Sequence, residues 1–260
     1  MGGVSDGPSH PTVLAAVEAA RAAGEIAMKY YRGGFEVVMK PDNTPVTQAD
    51  REAEQIITRI LGNAFPGWGF LGEEFGQAGP TQTRWIIDPI DGTKNFVRGI
   101  PFWAVLIALE EGGEITTGVV LNPATDELFT ARRGEGAYLN GERIRVSGCD
   151  ALADATMLHS GLKLMREAGC WDGLVRLVDA ASRTRGFGDY YGYGLVAAGK
   201  AEIYVEVDLK PWDVAPVKIL VEEAGGRLTD FAGRPTIYAG AVIATNGRLH
   251  AEALRLLNGR

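Results

Sequence analysis

The stretch Trp85-Ile86-Ile87-Asp88-Pro89-Ile90-Asp91-Gly92-Thr93 decides how this chain is read. Residues 84–87 form a short apolar run of strand type, which places Asp88 at a strand's carboxyl end, where open α/β sheets gather their ligands. Pro89 fixes φ, and Gly92 lets the backbone turn with no Cβ in the way. Asp88 and Asp91 are thereby expected to converge on one point. The same turn can offer the Ile90 carbonyl as a third oxygen and aim the Gly92 and Thr93 amides at an anion, most effectively if a helix begins at Thr93. Such hard oxygen donors suit Mg²⁺ or Mn²⁺, whereas Zn²⁺ would call for Cys and His.

Working outward, Gly72-Glu73-Glu74 precedes this stretch and Trp212-Asp213 follows it at a distance. Each acid also has an ordinary structural reading. Glu73 and Glu74 fit solvated loop charges. Asp213 fits the N-cap of a helix over 214–224, ended by Gly225-Gly226 and presenting Val214, Val217, Val221 and Ala224 on one face. The conjunction of the three segments, rather than any one of them, points to a site.

These three segments, with Asn95-Phe96 behind the first and Glu223-Ala224-Gly225-Gly226 behind the last, resemble the signatures of the inositol monophosphatase family, in order and spacing along nearly the whole chain. The resemblance implies a metal-dependent, lithium-sensitive type of phosphomonoesterase. Its fold would be α/β with an α+β N-terminal half, a layered α-β-α-β-α sandwich of the inositol monophosphatase and sugar phosphatase type. Glu73, Asp88, the Ile90 carbonyl, Asp91 and Asp213 match the family's metal ligands, and Gly92 and Thr93 match its phosphate contacts. The resemblance also suggests a homodimer.

The expected chemistry follows from the substrate. A phosphate monoester dianion resists attack by water, so charge must be neutralised and a nucleophile generated in line with the leaving oxygen. Two or three Mg²⁺ ions on these acids would do both, with no phosphoenzyme. Thr93, with Glu73 or Asp50, would orient the water by analogy with the family. Asp50 has a second reading, since Thr47-Gln48-Ala49-Asp50 also looks like a capping box opening a helix that carries Ala53, Ile56, Ile57 and Ile60.

At the loop facing the substrate the chain departs from the inositol enzymes. Where they usually carry Gly-Thr-Ala-Ala, this chain has Gly188-Asp189-Tyr190-Tyr191. Asp189, with Glu206 at the end of a strand over 201–207, would put two acids beside the substrate's organic part, a pocket better suited to a cation than to a polyol. Arg185-Gly186-Phe187-Gly188-Asp189, Tyr193, Leu195-Val196-Ala197 and Asn95-Phe96-Val97-Arg98-Gly99 resemble the histidinol-phosphatase branch. The leading expectation is therefore L-histidinol phosphate, whose ammonium or imidazole Asp189 and Glu206 would meet. Alternatives are an inositol-1-monophosphatase or broader sugar-phosphate phosphatase, and a regulatory binding protein with secondary phosphatase activity. Asp189 also reads as the N-cap of a helix over 190–198.

Composition agrees with an enzyme. The 260 residues are 46% hydrophobic, ample for a packed core, and the net charge of −7 disfavours nucleic acid. Cys149 and Cys170 lack CxxC spacing, which fits a reducing cytoplasm. Residues 1–8 lack a signal peptide's pattern, and no apolar run is long enough to span a bilayer. His10, His159 and His250 are isolated and read as core or surface residues, although His159 at a strand end could reach the pocket, while Arg98, Arg185, Lys94 and Lys40 have ion-pair or solvated readings at least as good as a substrate contact.

A coarse pass predicts helices over 12–31, with Val13, Val17, Ala20 and Ala27 on one side, and after Thr47. It then predicts an antiparallel meander over 102–109, 115–121 and 127–132, with a hairpin at Asn140-Gly141. After residue 150 strands alternate with helices (156–159, 171–181, 201–207, 241–245). We place a boundary there, between an α+β unit over 1–150 and an α/β unit over 151–260, with the site in the cleft between them.

Overall fold

The computed structural model describes residues 9–33, 37–39 and 45–259, with the side chains of 32–33, 37–39 and 45–47 excepted. It opens with helix α1 (Pro11–Gly33), the strand pair β1 (Val37–Met39) and β2 (Pro45–Thr47), and helix α2 (Gln48–Ala64). Next come β3 (Gly69–Gly72), β4 (Gly76–Ala78), β5 (Thr83–Asp91), a five-residue helix α3 (Thr93–Val97), β6 (Ala104–Glu111), β7 (Glu114–Asn122), β8 (Glu127–Arg132), β9 (Gly136–Leu139) and β10 (Glu142–Ile144). These eight strands form one sheet in the order β10-β9-β8-β7-β6-β5-β3-β4. Only β3 and β5 run parallel, so the predicted meander is present, closed by a tight turn in which Asn140 and Gly141 both adopt positive φ.

The rest of the chain builds a second sheet. In chain order it comprises β11 (Thr156–His159), α4 (Leu162–Glu167), α5 (Trp171–Ala180), β12 (Arg183–Arg185), α6 (Asp189–Ala197), β13 (Ile203–Val207), α7 (Pro211–Glu223), β14 (Arg227–Asp230), β15 (Ala241–Thr245) and α8 (His250–Leu257). Its order is β12-β11-β13-β15-β14.

The side-chain alternation of the strands generates the layers. On β5 and β6, Trp85, Ile87, Val105, Ile107 and Leu109 face α1 and α2, where they meet Ala16, Ala20, Ala23, Ala53, Ile57 and Leu61. The buried side of α1 is mostly alanine, with Val17 only half buried, so this helix lies close against the sheet. The opposite residues, Ile86, Leu106 and Ala108, join the central core with α6, α7 and the inner face of the second sheet. Ile203, Val205 and Ile243 point the other way, onto Leu174 of α5 and Ala253 and Leu257 of α8. The order of layers is helix, sheet, helix, sheet, helix, as expected.

Helix α7 differs from its expected form. Every residue from Val214 to Val221 is buried, because the helix is clasped between the two sheets rather than packed by one face. Its approach to β7 depends on Gly118, where a Cβ would lie 2.7 Å from the Pro216 carbonyl oxygen. Lys218, buried on this helix, is neutralised by Glu222 at 2.7 Å. Cys149 and Cys170 are both free thiols. Among the described residues, no helix is long and apolar enough to cross a membrane.

Candidate active site

β5 continues past Asp88 to Asp91, so the strand's carboxyl end, expected at Asp88, lies three residues later. Its pairing with β6 slips between Asp88 and Asp91, and Pro89, which has no N–H to give a ladder, sits in that irregularity. Asp88 Oδ1 accepts the Ile90 amide at 3.0 Å, so the acid stabilises its own turn. Gly92 follows with φ of 79° as the N-cap of α3, and the helix begins at Thr93 as anticipated. A Cβ on Gly92 would stand 2.9 Å from the Phe102 carbonyl oxygen. Thr93 Oγ1 donates to the Ile90 carbonyl at 2.9 Å.

Asp213 arrives from the other half of the chain. It is the third residue of α7's first turn rather than its N-cap, and its Oδ2 accepts the Lys210 amide at 2.7 Å. One carboxylate oxygen each from Asp88, Asp91 and Asp213 lie within 4.8 Å of one another. Burial first, and then repulsion from Glu73, Asp91 and Asp213, holds Asp88 well above the usual carboxylate range. Asp91 is raised by burial and then by Asp189 and Asp213, and burial carries Asp213 to about 7. Three mutually repelling oxygen donors, two buried and one half-buried, fit a divalent cation, which would relieve the repulsion that raises them.

Glu73 stands in the turn between β3 and β4. Its amide donates to the Ile87 carbonyl at 3.1 Å, and its side chain lines the same cavity as Asp88, Asp91 and Asp213. Asp50 does not line that cavity. It is buried in the first turn of α2 and adds to the charge that raises Asp88. The Thr47 side chain of the proposed capping box lies outside the described residues, as does Lys40.

The cavity holds about 700 Å³ and runs from the acids to the start of α6. There Asp189 has φ of 57°, an unusual conformation for a residue with a Cβ, and caps nothing: the N-cap of α6 is Gly188, which corrects the capping alternative for Asp189. Its Oδ2 accepts the Asn95 side-chain amide at 3.0 Å, while its own amide donates to Glu206 Oε1 at 3.2 Å. The next amide, of Tyr190, donates to Asp91 Oδ2 at 2.7 Å. Burial raises the Asp189 carboxyl and Lys94 opposes the rise. Burial, reinforced by Asp189, takes Glu206 to about 8. The hydroxyls of Tyr204 and Tyr193 lie close enough to moderate that shift, although Glu206 Oε2 has no well-formed hydrogen bond among the described residues.

A profile of the inositol monophosphatase family matches residues 9–259. The chain belongs to the inositol monophosphatase family. It is similar to a histidinol-phosphatase of Mycobacterium tuberculosis (strain ATCC 25618 / H37Rv), 42% identical over 257 residues that cover 96% of this chain and 99% of the relative. An inositol-1-monophosphatase of Mesorhizobium japonicum is 40% identical over 228 residues, 85% of each chain. Among solved structures, the extragenic suppressor protein suhB from Bartonella henselae superposes with a TM-score of 0.89 at 38% identity, covering 95% of this chain and 98% of that one. This inositol monophosphatase family member is thus a phosphoric monoester hydrolase of a metal-dependent family, with a carboxylate cluster fit for the metal.

The structure also decides residues that the sequence left open, and adds Ser160 and Glu54, which the sequence did not single out. His159, at the end of β11, and Ser160 line the cavity rather than the core or the outer surface, with His159 Nδ1 2.9 Å from the Ser160 carbonyl oxygen. The termination of a strand opposite Gly186 was the available signal. Lys94 lines the cavity as well, whereas Arg185 turns away to the Thr184 carbonyl. Glu54, buried on α2, accepts the amides of Glu74 and Phe75, and only its helical spacing from Asp50 hinted at this.

Proposed function

We propose that this enzyme hydrolyses L-histidinol phosphate to L-histidinol and phosphate, in histidine biosynthesis, with Mg²⁺ as cofactor. The observation that carries the reading is the pair Asp189 and Glu206, a half-buried and a buried carboxylate joined through the Asp189 amide on the wall of the cavity. This pair of acids gains charge pairing as well as hydrogen bonds from a cation, and hydrogen bonds alone from an electroneutral polyol, so a substrate bearing an ammonium and an imidazole matches it best. The 42% identity to a histidinol-phosphatase supports the same choice.

In this reading Glu73, Asp88, the Ile90 carbonyl, Asp91 and Asp213 hold two or three Mg²⁺ ions, and Mn²⁺ suits the same donors. When bound, the ions neutralise the ester dianion and lower the pKa of water. The Gly92 and Thr93 amides bind the phosphate. Because the Thr93 hydroxyl already donates to the Ile90 carbonyl, its oxygen is left to accept a hydrogen from water and so orient it with Glu73, while Asp50, outside the cavity, acts through its charge on Asp88. Lys94 adds positive potential at the cavity, and Asp189 and Glu206 hold the leaving group by its cationic end. The enzyme is further read as a cytoplasmic homodimer acting on a small phosphate ester.

The test is phosphate release from L-histidinol phosphate, inositol 1-phosphate and fructose 1,6-bisphosphate at matched concentrations, with Mg²⁺ or chelator. A metal-dependent preference for the first is expected. The similarity to an inositol-1-monophosphatase supports a second reading, and preference for inositol phosphate would establish it while leaving the metal chemistry intact. No release from any of them, with a stoichiometric macromolecular partner, would favour a regulatory binding protein, a role to which relatives named Nus factor SuhB lend support.

A further inference from the structure

Glu54 lies one helical turn after Asp50 on α2 and is 2% exposed. Its Oε2 accepts the Glu74 amide at 2.8 Å and its Oε1 accepts the Phe75 amide at 3.1 Å. The amide just before these, of Glu73, is held by the Ile87 carbonyl of β5 at 3.1 Å. Three consecutive main-chain amides are therefore committed, one to the strand that carries Asp88 and two to a single carboxylate. The turn cannot rotate about its axis without breaking one of them.

Gly72 completes the arrangement. Any Cβ at this position would collide with the Glu54 carboxylate, so the glycine is what lets the acid reach the turn. A carboxylate is also the side chain this geometry requires. Both of its oxygens accept, whereas glutamine would face one of the two N–H groups with its own NH₂.

We propose that Glu54 is a positioning residue for the metal end of the site, fixing the turn from which Glu73 presents its carboxylate. It touches no substrate and does not line the cavity; it acts through Glu73. The inference rests on Glu73 being a metal ligand, as in the proposed function.

The experiment titrates Mn²⁺ into metal-stripped, full-length protein without substrate, by electron paramagnetic resonance, for the wild type, Glu54→Gln, Glu54→Ala and Glu73→Gln. Thermal melts are recorded alongside, with Glu110→Gln as a buried acid elsewhere, paired with Arg84. Glu54→Gln is expected to weaken Mn²⁺ binding about tenfold, in the range for residues that support a ligand. The Mg²⁺ concentration for half-maximal turnover should rise in step, while KM at saturating metal stays within about twofold. Glu110→Gln should lower the melting temperature and leave Mn²⁺ binding unchanged. Should Glu54→Ala fail to fold, Glu54→Asp, which keeps the charge on a shorter arm, takes its place. Wild-type Mn²⁺ binding by the Glu54 variants beside a weakened Glu73→Gln overturns the inference, as does weakening that merely tracks the melting temperature. Wild-type binding by Glu73→Gln instead overturns the assignment of Glu73 itself, and the role of Glu54 with it.

Discussion

The side-chain amide of Asn95 donates to the Asp189 carboxylate at 3.0 Å, joining the helix that follows the acid-bearing strand to the loop that opens α6, 94 positions later. Asn95 spends its other amide hydrogen on the Phe102 carbonyl at 2.9 Å, so its orientation is set before Asp189 meets it. Asp189 is thus held in its positive-φ conformation from outside its own helix.

Replacing Asp189 with Thr should raise KM for L-histidinol phosphate at least about tenfold, the effect of one lost charge-assisted contact, while KM for inositol 1-phosphate holds or falls. Steady-state kinetics on both substrates check this. Unchanged KM for histidinol phosphate would remove Asp189 from recognition.

Asp213→Asn should lower turnover by more than about a hundredfold, beyond the loss typical of residues that only support a ligand. The fold should survive, because an asparagine oxygen can still accept the Lys210 amide and because a half-buried, repelled charge is removed. Circular dichroism melts and phosphate release, each with and without Mg²⁺, separate the two effects.

Gly92→Ala should destabilise the protein by roughly 1–3 kcal/mol, since a Cβ would be strained at φ of 79° and pressed against the Phe102 carbonyl. Turnover should fall further than stability accounts for, because Thr93 follows directly. Urea unfolding at several temperatures, compared with activity under native conditions, reads both.

Stability should also carry the signature of His250. Thr229 donates its hydroxyl to the Asp230 carbonyl and so accepts from Nε2, which leaves Nδ1 as acceptor opposite Thr245. Burial, and then Arg227, lowers the imidazole to about 4. Between its ordinary value near 6.5 and about 4, the unfolded chain binds a proton that the folded chain refuses, so stability falls as the pH drops through that window, by at most about 3 kcal/mol. The raised acids of the site have the opposite sign, so the measurement is the difference between the wild type and His250→Asn. That difference should narrow from pH 7 to pH 4.5; a constant difference would refute the assignment.

The acids were legible because their types and spacing are local properties: Asp88, Asp91, Glu73 and Asp213 all face one cavity. The antiparallel meander was legible for the same reason, since apolar runs of strand length and an Asn-Gly turn need no distant partner. What escaped depended on packing. The strand runs on through Asp88 and Asp91 because β6 pairs with it across an irregularity, which no property of residues 84–91 announces. The burial of α7 on all sides follows from two sheets closing over it. Asp189 looked like a helix cap because its sequence neighbours are right for one, and only the Asn95 and Glu206 contacts show why it is turned elsewhere.

The hydrogen bond from the Tyr190 amide to Asp91 has a consequence for descent. It ties the substrate loop to the acid cluster through a main-chain group that every amino acid except proline provides. Side chains at 189 and 191, which unlike the buried Tyr190 ring are only partly covered, can therefore be exchanged over generations while the hydrolytic acids keep their alignment. A lineage built this way can drift from one phosphorylated metabolite to another by changing a few letters at the rim, without rebuilding the chemistry beneath.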